Sequence, residues 1–209
     1  NPEYIIKDLS FSIRVGQSVA LVGATGAGKS SVVNLLGRMY EFQKGEITID
    51  GISIRDYELH GLRLAIAMVP QDVFLFSDTI HNNITLYDES ISRHQVETAA
   101  RAVGAIRFIE KLPGGFDFNV MERGAVLSTG QRQLISFIRA YVFNPSILIL
   151  DEATSSIDSE TEELIRLATE KLTANRTSII VAHRLSTIQK ADKIILLDHG
   201  QKIQEGSHQ

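Results

Sequence analysis

Three stretches of this 209-residue chain combine residue types and spacings that can do chemistry. The first is "GATGAGKS", Gly23 to Ser30, which fits the pattern G-x-x-x-x-G-K-[ST]. Glycines let backbone N–H groups wrap phosphate oxygens, a lysine reaches the β- and γ-phosphates, and the hydroxyl that follows coordinates Mg²⁺. The apolar run "SVALVG" precedes the loop and helical sequence follows it, which is the context such a loop requires. At average residue frequencies a chance match in a chain this long is roughly 1 in 100. The second stretch is "SILILDE", Ser146 to Glu152, a buried-strand pattern that ends in two carboxylates. Alone, such a pair is usually a solvated strand end. Beside a phosphate loop, Asp151 is placed to hold a metal and Glu152 to act as general base on an attacking water, because open α/β sheets bind ligands at the carboxyl ends of their strands. The third stretch is "LSTGQ", Leu127 to Gln131. Ser128 and Gln131 predict a capping box for the helix that begins with the apolar residues Leu134, Ile135, Phe137 and Ile138. Gly130 weakens that first turn as helix, yet a helix N-terminus carrying a hydroxyl and a glycine is also a seat for an anion.

The elements that must position these residues read as follows. "FSIRV" alternates Phe11, Ile13 and Val15 and predicts a half-buried strand; "SVALVG" predicts a buried one. A helix is expected from Lys29 to about Arg38. "GEITIDG" alternates and ends in an Asp50-Gly51 turn, and "LAIAMVP" predicts a buried strand stopped by Pro70. From about 72 to 141 strand signals fade and helical patterns such as "SRHQVETAARAV" and "AIRFIEKL" take over, punctuated by "LPGGF". "SILIL", "TSIIVAH" and "KIILLD" predict further strands, and Asp198-His199-Gly200 turns into "QKIQEG" as a terminal hairpin. Ser159 with Glu162 predicts a second capping box, opening a helix whose Leu164, Ala168 and Leu172 lie at i, i+4 and i+8. Strands alternating with helices imply a largely parallel sheet.

Composition excludes several classes. The net charge of −4 offers no bulk basic signal for nucleic acid or anionic lipid, so no nucleic-acid partner is expected. The absence of cysteine rules out disulfides and thiolate zinc sites. No apolar run approaches the ~18 residues of a membrane span. The chain opens on Asn1 rather than Met, and an excised piece of a longer protein is the expectation.

"LSTGQ" closely resembles the LSGGQ signature of ABC ATPases, and five further motifs follow that family's order. Gly23–Ser30 resembles its Walker A loop and Ser146–Glu152 its Walker B strand with the catalytic glutamate. "VPQD" places Gln71 at the Q-loop, "SSID" (Ser155 to Asp158) resembles the D-loop, and "VAHR" places His183 as the switch histidine. "VPQDVFLFSDTIHNNI", the "ERG" of Glu122 to Gly124, "DEATSSID" and "VAHRLSTI" resemble the exporter-type transporters of that family. Two departures stand out: Thr129 replaces the first signature glycine, and Met121 stands where the loop before the signature often has glycine.

The resemblance implies an α/β fold, a P-loop NTPase with a RecA-like core, an antiparallel β portion and an inserted helical subdomain carrying the signature. Residues 1–71 and 142–209 would form the core with the β portion, and about 72–141 the helical subdomain, in one ATP-binding domain that extends past both ends of this chain. ATP and Mg²⁺ are the implied cofactors. Gly23, Ala24, Thr25, Gly26, Ala27, Gly28, Lys29, Ser30 and Ser31 would hold the nucleotide of one domain. Ser128, Thr129, Gly130 and Gln131 would contact the nucleotide of another. Ser30, Gln71 and Asp151 would meet the metal. Glu152, His183, Gln71 and Lys29 would carry catalysis, with His183 donating to the γ-phosphate, Gln71 also linking the site to a transmembrane partner, and Asp158 crossing the dimer interface. The family's adenine-stacking aromatic is expected upstream of Asn1, so Tyr4 is not assigned to it. Implied partners are a second ATP-binding domain, identical or not, and a transmembrane domain on this or another chain, at the cytoplasmic face of a membrane. The function implied is ATP hydrolysis that drives export. Two competing readings are a DNA-repair or chromosome-maintenance clamp of the same ATPase family, disfavoured by the compact motif order, and a regulatory nucleotide-binding module, disfavoured by Glu152 and His183.

Overall fold

The computed structural model describes residues 4–152 and 158–208. In chain order its elements are β1 (Ser18–Val22), α1 (Lys29–Leu36), β2 (Thr48–Ile49), β3 (Ile52–Ser53), α2 (Leu59–Ala65), β4 (Ile66–Val69), α3 (Ile80–Thr85), α4 (Arg93–Ala102) and α5 (Ile106–Glu110). They continue with α6 (Thr129–Phe143), β5 (Ile147–Asp151), α7 (Ser159–Thr173), β6 (Thr177–Val181), α8 (Leu185–Lys190), β7 (Lys193–Asp198) and β8 (Gln201–Gly206). The chain divides into two compact units.

The first unit comprises Asn1–Met68, Pro145–Thr154 and Asn175–Gln209. Its six-stranded sheet has the order β4-β5-β6-β1-β7-β8. β1 lies between β6 and β7 and is parallel to both, β5 is parallel to β6, and β8 closes the edge antiparallel to β7. The apolar runs account for this. Val19, Ala20 and Leu21, and likewise Leu148 and Ile149, are buried on both faces of the sheet, and a strand covered on both faces has no polar side to alternate. β2 and β3 form a separate antiparallel hairpin across the expected Asp50-Gly51 turn, where both residues have positive φ, 51° and 79°. The α/β architecture with a small antiparallel β portion is therefore as the sequence implies.

Three local expectations fail in this unit, each for an identifiable reason. "FSIRV" is not a strand. Phe11 and Ile13 do pack against the core, but Val15 is 91% exposed and the chain turns there, with the Gln17 N–H donating to the Arg14 carbonyl. The first helix stops at Leu36 because Gly37 caps it and Arg38 leaves helical geometry at φ 47°. In "LAIAMVP", Leu64 and Ala65 belong to the end of α2, a helix the sequence did not announce. Its cap is an acid rather than a hydroxyl: the Glu58 carboxylate accepts the N–H groups of His60 and Gly61, and the His60 bond above all holds its pKa below the usual range.

The second unit comprises Val69–Asn144 and Ser155–Ala174. α6 is its spine, burying Leu134, Ile135, Phe137 and Ile138, with α3, α4 and α7 packed on it. The expected helices at α4 and α5 are present, and Ser92 with Gln95 forms a capping box on α4. α7 starts one residue earlier than its predicted box: Asp158, not Ser159, is the N-cap, its carboxylate accepting the Thr161 N–H at 2.9 Å. Asp and Ser are comparable caps, so adjacent candidates are decided by register against the apolar stripe. Here Ile165, Ala168 and Leu172 are buried. Asn83, fully buried, pins the turn that leads into α3. Its side chain accepts from the Phe76 N–H at 2.8 Å and donates to the Phe76 and Thr79 carbonyls at 3.0 and 2.9 Å.

Candidate nucleotide site

In the first unit the chain leaves β1 at Val22 and enters α1 at Lys29 through the glycine loop. Gly23 has φ 154°, and a Cβ there would stand 2.3 Å from the Leu197 carbonyl oxygen, so no side chain fits without moving β7. Gly28 is the N-cap of α1 at φ 104° and has no side chain to cap with; a Cβ there would come within 2.9 Å of Ile6. The first-turn N–H groups of α1 have no carbonyl partner within the helix, and the helix dipole adds a partial positive charge at that end. Lys29 is buried, and its ammonium donates to the carbonyls of Gly23 (2.7 Å) and Ala24 (3.0 Å), placing the charge inside the loop. Ala24, Thr25, Gly26 and Ser30 are exposed along the same turn, Ala27 is buried, and Ser31 is half-buried.

Sheet register brings the acidic pair to the same edge. Leu21 of β1 pairs with Val181 of β6, and Val181 pairs with Asp151 of β5. The loop after β1, the pair at the end of β5 and His183 after β6 therefore leave adjacent parallel strands at their carboxyl ends. Asp151 and Glu152 are half-buried, and His183 is exposed. Glu152 turns toward the start of α8. One carboxylate oxygen accepts the backbone N–H groups of His183 (3.1 Å) and Arg184 (3.3 Å), and the other accepts the Thr187 hydroxyl. Neither Thr187 nor this use of the His183 backbone was visible in the sequence. The residues are 31 to 35 positions from Glu152, and no local pattern reports a strand-end carboxylate capping a helix that distant.

Gln71, half-buried, and the Ser128–Gln131 turn belong to the second unit. Ser128 accepts the Gln131 N–H at 3.2 Å, and the Gln131 side chain accepts the Ser128 N–H at 3.0 Å, which completes the expected capping box. Ser128 itself is exposed. Thr129 is half-buried and turned along the helix: its hydroxyl accepts from Arg132 at 3.1 Å while Arg132 also donates to the Leu127 carbonyl at 2.7 Å. Ser155 to Ile157 of the D-loop lie outside the described residues.

Met121 adopts φ 59° and ψ −173°, a region that glycine occupies almost alone. Its side chain is 54% exposed, so little packing offsets the strain. Met121→Gly is expected to stabilise the protein by about 1 kcal/mol, the relief of strain exceeding the added freedom of the unfolded chain. Urea unfolding checks this: the midpoint should rise with the slope unchanged, and a lower midpoint would show that no strain is held there.

A glycine loop joining a central strand of a largely parallel sheet to its helix, with an acidic pair at the end of the next strand but one, defines a P-loop nucleoside triphosphatase. Residues 6–155 match the family described as ABC transporter. The chain is 48% identical over 207 residues to the probable multidrug resistance ABC transporter ATP-binding/permease protein YheH of Bacillus subtilis, covering 99% of this chain and 31% of that protein. It is equally 48% identical over 207 residues to an ATP-dependent lipid A-core flippase of Haemophilus influenzae, covering 99% of this chain and 35% of that one. Among solved structures, a bacterial Atm1-family ABC exporter with ATP bound superposes with a TM-score of 0.90 at 44% identity, covering 98% of this chain and 36% of that one. The chain belongs to the ABC transporter family. It spans about a third of the length of these relatives. Their names do not favour the clamp reading. Among the described residues no helix is long and apolar enough to cross a membrane.

Proposed function

We propose that this chain powers export across a membrane by pairing, ATP in hand, with a second domain of its kind at the cytoplasmic face. The register that brings the Lys29 loop, Asp151-Glu152 and His183 to one edge of the sheet is the observation that carries this reading. Gly23 to Ser31 hold the triphosphate, with Lys29 neutralising the β- and γ-phosphates. Glu152 accepts the proton of the attacking water, and His183 donates to the γ-phosphate as charge develops.

The donor set fits Mg²⁺. Among the described residues no group of three or more His, Cys, Asp or Glu forms a cage. Ser30 and Asp151 suit an ion that keeps its waters and binds chiefly through phosphate oxygens. When bound, Mg²⁺ supplies neutralisation of the phosphate charge.

Ser128 to Gln131 address the nucleotide of the second domain. Phe74 and Phe76, exposed and packed edge to face at 5.3 Å, suit burial against a transmembrane partner. The names of the relatives point to multidrug and lipid A-core cargo, and cargo choice would rest with that partner.

The test uses the full-length protein in proteoliposomes. ATP hydrolysis with ATP-dependent movement of a lipid or dye cargo across the bilayer is expected. Hydrolysis stimulated by DNA, with no cargo moved, would return the protein to the clamp class.

A further inference from the structure

Both carboxylate oxygens of Glu152 are held by the chain at the start of α8. The N–H groups of His183 and Arg184 converge on one oxygen, and the Thr187 hydroxyl donates to the other. The Glu152 backbone is fixed as well, its N–H donating to the Val181 carbonyl at 3.2 Å. A carboxylate held at a single oxygen can swing about that contact; one held at both is fixed in direction. We propose that Thr187 is a positioning residue for Glu152, its hydroxyl setting the direction in which the carboxylate meets the attacking water. The inference rests on the reading of Glu152 as the base.

Thr187 is suited to this role. It stands in the first turn of α8 and is half-buried, with its own N–H donating to the Arg184 carbonyl at 3.2 Å. Its hydroxyl donates to the Glu152 carboxylate. β5 and β6 are in register up to Asp151 and Val181, which brings Glu152 beside the chain that leads from β6 into α8. Supporting hydrogen bonds of this kind give a reacting group its preorganised geometry.

Thr187→Val keeps the shape and removes the donor; Thr187→Ser keeps the donor and removes a methyl group. In the full-length protein, Thr187→Val is expected to lower kcat for ATP hydrolysis about tenfold while KM changes by less than about twofold, since ground-state binding of the nucleotide is untouched. Thr187→Ser should stay within about twofold of the parent in both constants, as the hydroxyl is retained. Equal losses in the two variants would assign the effect to packing and overturn the proposal. So would a rise in KM with kcat unchanged, or a Thr187→Val enzyme that turns over normally. Glu152→Gln is run alongside: if that variant hydrolyses ATP normally, the base reading itself fails, whereas an inactive Glu152→Gln beside a normal Thr187→Val removes only the role of Thr187.

Discussion

Glu152→Gln is expected to bind ATP as the parent does and to lose turnover by about 10²-fold or more, the loss expected when a positioned general base is removed. Glutamine preserves the volume and one oxygen. That oxygen can still accept the His183 and Arg184 N–H groups, and the new amide can donate to the Thr187 hydroxyl, which accepts as readily as it donates. The local structure therefore has no reason to rearrange, and the change isolates proton acceptance. With hydrolysis blocked and the phosphate loop intact, the ATP-bound pair of domains should accumulate, visible as co-eluting nucleotide on size exclusion of the full-length protein. Phosphate release at near-parental rate would remove Glu152 from the role of base and leave Gln71 and His183 to be tested next.

How far the site was readable depended on whether its residues were local in sequence. The glycine loop and the acidic pair each report themselves within a few residues, and the apolar runs before them say that both leave buried strands. Adjacency of those strand ends is a matter of sheet order, with β6 lying between β1 and β5, and nothing in the sequence of either motif encodes it. The hold on Glu152 was invisible for the same reason, since it joins a strand end to a helix more than thirty residues on. The misreadings were local ones. Phe11 and Ile13 alternate as a strand would because both touch the core, but alternation records burial and not hydrogen bonding, and no ladder forms there. The cap of α7 was displaced by one residue because Asp158 and Ser159 are equally good caps. α2 escaped notice because its cap is Glu58, outside the usual set of cap residues, and only Leu62 along it is buried.

Ser128→Arg carries the second large expected effect, because it separates two uses of the same turn. As a helix cap, Ser128 is worth about 1 kcal/mol. Arginine forfeits that and adds a cation at the positive end of α6, a further few tenths at an exposed site. The helix should survive both losses, since α6 is held by Leu134, Ile135, Phe137 and Ile138 in the core of its unit. What cannot survive is close approach of a phosphate to the turn, because the guanidinium stem fills the space in front of an exposed serine. If the turn serves the nucleotide of a second domain, turnover should fall about 10²-fold or more, as when an electrostatic donor is removed from a reacting centre. Affinity for a fluorescent ATP analogue, which on the proposed reading rests on the loop of Gly23 to Ser31, should remain within about threefold, a change of well under 1 kcal/mol. Ser128→Ala separates the contributions: it removes the cap without the bulk, so a fall in turnover much smaller than that of Ser128→Arg assigns the larger effect to occlusion. Collapse of affinity in Ser128→Arg would mean that the turn binds the nucleotide of its own chain, and the pairing of two domains about a shared ATP would lose its basis.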